Sequence, residues 1–120
     1  MPLVLIADDS MFQRFMLSKI ARESGYETLE AKNGQECIDL GLEKRPDLVI
    51  LDLNMPEKSG LDVLSAFREA GCDTPVLVLT ADIQSTTREL CEQLGAAGFL
   101  NKPVDEAALR QEFTRLAASA

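Results

Sequence analysis

The chain has 120 residues, 46% of them hydrophobic, with 12 basic and 20 acidic side chains and a formal charge of −8 at pH 7. That length suits one domain around one core, and the acidic balance argues against a nucleic-acid partner, whose phosphates are held by clustered Lys and Arg. The longest apolar runs are of strand length and no basic-then-apolar leader opens the chain, so neither a membrane span nor a secretory signal is expected, and the expected compartment is the cytoplasm.

The first apolar run, Leu3-Val4-Leu5-Ile6-Ala7, is unbroken in the manner of strands buried on both faces of a parallel sheet, and it stops at Asp8-Asp9. Ser10-x-x-Gln13 reads as a capping box that opens a helix, with Phe12, Phe15, Met16 and Ile20 at helical spacing as its core stripe. Residues 26–31 alternate polar and apolar, as a half-exposed edge strand does. Asn33 with Glu36 caps a second helix in the same way. Leu48-Val49-Ile50-Leu51 is a third strand that stops at Asp52, and a following helix carries Val63, Phe67 and Ala70 on one stripe and ends near Gly71. Val76-Leu77-Val78-Leu79 runs into Thr80, and a fourth helix over residues 83–94 ends at Gly95. The short run Gly98-Phe99-Leu100 leads to Asn101-Lys102-Pro103, and a last helix spans residues 104–116.

Five strands alternating with five helices force right-handed crossovers and a parallel sheet covered on both faces. The predicted fold is a doubly wound α/β domain. No repeat, low-complexity tract or linker divides the chain, so residues 1–120 read as a single domain. Three widely spaced cysteines (Cys37, Cys72, Cys91) without a C-x-x-C, in a chain with no histidine, make no zinc site and read as reduced thiols.

The polar residues that end the buried runs carry the chemistry. Open α/β sheets bind ligands outside the carboxyl ends of their strands, and Asp8, Asp9, Asp52, Thr80 and Lys102 all fall at such ends. Three crowded carboxylates repel one another by about 4 kcal/mol per close pair at an effective dielectric of 20, so they need a cation. Lys102 offsets one charge, and hard oxygen ligands with vacant positions suit Mg²⁺, which also binds phosphate oxygens. Asp52 is then the nucleophile of a phosphoryl transfer, with the metal, Lys102 and the Thr80 hydroxyl stabilising phosphoryl oxygens. Each residue alone has a plainer reading: Asp8 or Asp9 as a helix cap, Asp52 as a turn former, Thr80 and Lys102 as ordinary strand-end groups, Phe99 as core packing. Their joint placement favours the site.

In this order and on these elements, the chain resembles the response-regulator receiver family across essentially its whole length. The matching residues are Asp8-Asp9, Asp52-Leu53-Asn54-Met55-Pro56, Gly60-Leu61, Thr80 and Lys102-Pro103. The resemblance implies a flavodoxin-like receiver fold with strand order 2-1-3-4-5. It implies that Asp52 accepts a phosphoryl group from a sensor histidine kinase in a Mg-dependent, self-catalysed transfer with autodephosphorylation, so that the chain is a switch rather than an enzyme. It further implies a metal ligand in the Asn54 main-chain carbonyl, beside Asp8, Asp9 and Asp52. Asn54 and Asp82 would tune phosphate lifetime, Thr80 and Phe99 would form the switch, and the Lys102-Pro103 bond would be cis.

No output domain is attached in this sequence, so action is expected through docking on the face made by helix four, strand five and helix five. The downstream partner would be a flagellar motor switch, a phosphatase or a phosphotransfer protein, the last in an intermediate phosphorelay role. An aspartate-based phosphohydrolase is the alternative. That chemistry usually sets an acid two positions beyond the nucleophile, where this chain has Asn54. A dinucleotide site is rejected, because the turn at Asp8-Asp9-Ser10 lacks glycines and its acids repel a pyrophosphate.

Overall fold

The computed structural model describes residues 2–81 and 84–118. In chain order the elements are β1 (Leu3–Ala7), α1 (Met11–Glu23), β2 (Glu27–Ala31), α2 (Gly34–Lys44), β3 (Leu48–Asp52), α3 (Gly60–Glu69), β4 (Val76–Thr80), α4 (Ser85–Gln93), β5 (Gly98–Asn101) and α5 (Glu106–Ala118). The strands form one five-stranded parallel sheet in the order β2-β1-β3-β4-β5. Strand order reverses beside β1, so the carboxyl ends of β1 and β3 lie together at the crevice where such sheets bind ligands.

Alternation along the three central strands divides the apolar residues between two layers. Val4, Ile6, Leu48, Ile50, Leu77 and Leu79 meet α1 and α5 through Ile20, Leu109 and Phe113. Leu5, Val49, Leu51, Val76 and Val78 face the other way, against Cys37, Val63, Phe67 and Cys91 from α2, α3 and α4. Because β1, β3 and β4 are covered on both sides, their sequences are continuous apolar runs. Cys37 and Cys91 are fully buried, and Cys72 is partly exposed. Burial pushes the Cys37 thiol up to about 12. Among the described residues, no helix is long and apolar enough to cross a membrane.

Several local expectations are corrected. Phe12, Phe15 and Met16 are not core: they are 70%, 60% and 38% exposed, next to Met11 at 75%. α1 carries two apolar stripes of identical spacing, and the one that meets the sheet is Leu17, Ile20 and Ala21. Periodicity fixes the existence of a stripe but not its direction. At Ser10 only half of a capping box forms. Its hydroxyl accepts from Gln13 N at 3.2 Å, but its own amide donates to Asp8 Oδ1 at 2.9 Å. Asn33 likewise accepts from Glu36 N, while the Glu36 carboxylate takes the Lys32 amide. The reciprocal box is at Ser59 and Asp62, ahead of α3.

Tyr26 is buried rather than half-exposed and precedes β2, its ring 5.0 Å from that of Phe113. β5 is an edge strand of intermediate burial. α5 starts two residues later than the pattern suggested, where Asp105 accepts from the Ala108 amide. α4 begins at Ser85, and Ile83 lies outside the described residues.

Candidate functional site

Each functional side chain stands where a buried strand meets a loop. Asp8 follows β1 and is 1% exposed, Asp52 ends β3 at 3%, and Thr80 ends β4 at 1%, whereas Asp9 is exposed. Carboxylate oxygens of Asp8, Asp9 and Asp52 lie within 4.8 Å of one another. The Lys102 ammonium reaches into this group, 3.3 Å from Asp8 Oδ2 and 3.3 Å from Asp52 Oδ2. Its backbone amide donates to the Thr80 carbonyl at 2.8 Å, which ties the loop after β5 to the end of β4. The Lys102–Pro103 peptide bond is cis.

Asp8 is held from every side. Its amide donates to Ala31 O at 3.1 Å, its Oδ1 accepts from the Ser10 amide, its Oδ2 meets Lys102, and its carbonyl accepts from Arg14 Nη1 at 2.6 Å. Asp52 Oδ1 accepts from the Asn54 amide at 3.2 Å. Burial is the main influence on Asp52 and raises its pKa. The Asp8 charge adds to that, while the Asn54 amide and Lys102 pull the other way. One lysine against three carboxylates leaves the group short of positive charge.

That shortage is the fit test for a metal. The donors are hard anionic oxygens, two of them buried, so a small hard divalent cation matches their chemistry and Mg²⁺ fits. A soft metal does not, since neither sulfur nor imidazole is among the clustered groups.

The other expected positions are separately placed. Asn54 is exposed in the loop after β3, and Asp82 lies outside the described residues. Phe99 is half-buried on β5, packed against the Val78–Cys91 layer with the Arg88 guanidinium above its ring. Two contributors have roles that the sequence does not spell out. Arg14 gave a faint signal, being one helical turn past the Ser10 cap. Gly60 gave another: a Cβ there would stand 2.7 Å from Leu53 Cα and 2.9 Å from Asp52 O, so the start of α3 lies against the acceptor strand.

Residues 4–114 match the family model described as the response regulator receiver domain. The chemotaxis response regulator CheY4 of Vibrio cholerae superposes with a TM-score of 0.89 at 32% identity, covering 97% of this chain and 98% of that one. The receiver domain of Francisella response regulator 1452 gives 0.92 at 27% identity, covering 97% and 96%. The polar-differentiation response regulator DivK of Brucella anthropi is 33% identical over 103 residues, 84% of each chain. The sensory/regulatory protein RpfC of Xanthomonas campestris is 37% identical over 120 residues, where this chain covers 97% of itself but only 16% of RpfC.

Proposed function

Given that the chain belongs to the response regulator receiver family of two-component signalling, we propose that it is a phosphoacceptor switch whose acceptor is Asp52. The observation that carries this reading is the Lys102 ammonium standing 3.3 Å from both Asp8 and Asp52 within a group of three converging carboxylates. A buried, ionised carboxylate has no proton to lose, so it attacks phosphorus without a general base. The Asp52 oxygen forms a bond to phosphorus as the bond to the donor breaks, and the leaving group departs with the electron pair. Lys102 meets the new phosphoryl charge, and the buried Thr80 hydroxyl stands at the adjoining strand end to bond a phosphoryl oxygen. Attack by water on phosphorus then releases inorganic phosphate and returns the carboxylate, with Asn54 and Asp82 as the flanking positions that set its rate.

Asp8, Asp9, Asp52 and the Asn54 carbonyl would hold Mg²⁺. The ion supplies charge neutralisation at the acceptor and phosphoryl oxygens when bound. The phosphodonor is a histidine kinase or a histidine phosphotransfer protein, met in the cytoplasm. Its support is the exposed apolar start of α1, which begins three residues after Asp8. On the output side, Thr80 and Phe99 couple phosphorylation to the face made by α4, β5 and α5, where a motor-switch protein, phosphatase or phosphotransfer protein docks. Residues 1–120 act in this reading as one receiver unit.

Acetyl phosphate and intact mass test it. We expect a gain of one phosphoryl group in Mg²⁺, none in chelator and none in Asp52→Asn. Equal labelling with and without the ion, or labelling of Asp52→Asn, would overturn it. An exposed Asn54, two positions beyond Asp52 where that chemistry sets an acid, disfavours the phosphohydrolase reading.

A further inference from the structure

Arg14 lies on α1, its side chain only 14% exposed, and it makes two contacts that belong to no helix-stabilising pattern. Nη1 donates to the main-chain carbonyl of Asp8 at 2.6 Å, and Nε donates to Glu30 Oε1, on the edge strand β2, at 3.1 Å. The Asp8 carbonyl belongs to the peptide unit that joins Asp8 to Asp9. That unit is planar, so fixing its oxygen fixes the direction in which the chain enters Asp9 as well as the one in which it leaves Asp8. Asp8 has other restraints, through Ala31, Ser10 and Lys102. Asp9 is exposed and makes no hydrogen bond to the described residues, so the shared peptide is the main restraint on its carboxylate.

We propose that Arg14 is the positioning residue of the acid pair, aiming Asp9 at the cluster through the Asp8–Asp9 peptide while Glu30 neutralises its charge. The inference rests on the metal-binding reading above. Two opposing effects have to be weighed. An unpaired guanidinium near the carboxylates would repel a divalent cation. Glu30 cancels most of that repulsion at 3.1 Å, so orientation dominates and removal of Arg14 weakens Mg²⁺ binding rather than strengthening it. Removal of Glu30 alone leaves the carbonyl contact and exposes the repulsion, so it weakens binding too, through charge. Lys in place of Arg keeps a cation that can reach one partner but not fork between both.

The test is Mg²⁺ titration by calorimetry on the full chain, together with amide hydrogen exchange at Asp8 and Ser10 in the metal-free state. A hydrogen bond from a charged donor is strong enough that Arg14→Ala should weaken Mg²⁺ binding about tenfold and speed exchange at Ser10 by a similar factor. Arg14→Lys should recover part of both effects, and Glu30→Gln should weaken Mg²⁺ binding with little change in exchange at Ser10. A merely structural role would lower the denaturation midpoint of Arg14→Ala and leave the affinity of its folded fraction unchanged. Affinity that is unchanged or tighter in Arg14→Ala, or Ser10 exchange that does not move, overturns the proposal. Should Arg14→Ala not fold, loss of affinity in Arg14→Lys decides the matter in the same sense. If the parent chain binds no Mg²⁺, the functional reading fails instead, and exchange at Ser10 and Asp8 still decides whether Arg14 positions the peptide.

Discussion

The guanidinium carbon of Arg88 lies 5.5 Å from the centre of the Phe99 ring, joining α4 to β5 across the face proposed for output. The same guanidinium is bonded to Glu92, one turn further along α4. A cation held over a partly exposed ring contributes about 0.5–1 kcal/mol, which biases Phe99 toward its present half-buried position. Arg88→Ala should therefore lower the beryllofluoride concentration needed for the half-maximal change in amide exchange of residues 97–101 by about two- to fivefold. Thr80→Ala should abolish that change, since the hydroxyl is the proposed link. A midpoint that stays put in Arg88→Ala would separate this pair from the switch.

Asp52 is a buried carboxylate whose pKa in the folded chain lies above its unfolded value, first because of burial. Its ionised form therefore costs the fold free energy. Below the unfolded pKa the group is protonated in both states and costs nothing. As pH rises through the folded pKa, the cost develops fully. In chelator, Asp52→Asn should accordingly stabilise the chain by about 1–2 kcal/mol at neutral pH, with the gain fading toward acid pH. Asp9→Asn should gain less, because Asp9 is exposed. Denaturant midpoints across pH check the sign, and a gain that grows on acidification would refute it.

Gly60 leaves no room for a side chain between α3 and the end of β3. Besides the Leu53 side chain, the neighbours are Leu53 Cα and the Asp52 carbonyl oxygen, backbone atoms that cannot step aside without moving the acceptor. Gly60→Ala should destabilise by about 1–3 kcal/mol and slow labelling by acetyl phosphate. Stability and rate both within error of the parent would mean that the strand end is softer than the packing implies.

The exposed start of α1 supports a partner rather than the core. Phe12→Ser and Phe15→Ser should change stability by no more than about 0.5 kcal/mol, leave acetyl phosphate labelling intact and slow transfer from a phosphohistidine protein. Equal slowing with both donors would place the effect inside the site.

Element type and order were legible because β1, β3 and β4 are buried on both faces and their continuous apolar runs have no other good explanation. The site was legible for a related reason: Asp8, Asp52 and Thr80 interrupt those runs at the same end of adjacent strands. What stayed hidden was direction. Phe12, Phe15 and Met16 share their spacing with Leu17, Ile20 and Ala21, and only contact with the sheet distinguishes the two faces of α1. Arg14 is only faintly legible because its partner is a main-chain carbonyl, which every residue has. Gly60 belongs to the matching motif, but the reason for a glycine there is the nearby Leu53 backbone, a tertiary fact. At Ser59 the box closes with Asp where a Glu or Gln was sought.

The unequal burial of the three cysteines gives the chain a ready-made labelling site. Cys37 and Cys91 are sealed in the layer beneath α2, α3 and α4, and a thiol pushed up to about 12, as at Cys37, offers almost no thiolate at pH 8. Cys72 opens instead onto a surface cavity of about 210 Å³ that it shares with Leu64, Phe67, Leu94 and Gly95. A maleimide dye would thus attach at one place, between the C-terminal ends of α3 and α4, with no engineered substitution. Because Leu94 and Gly95, the residues that close α4, line the same cavity, the dye's emission would report on the end of that helix as the chain is charged and discharged.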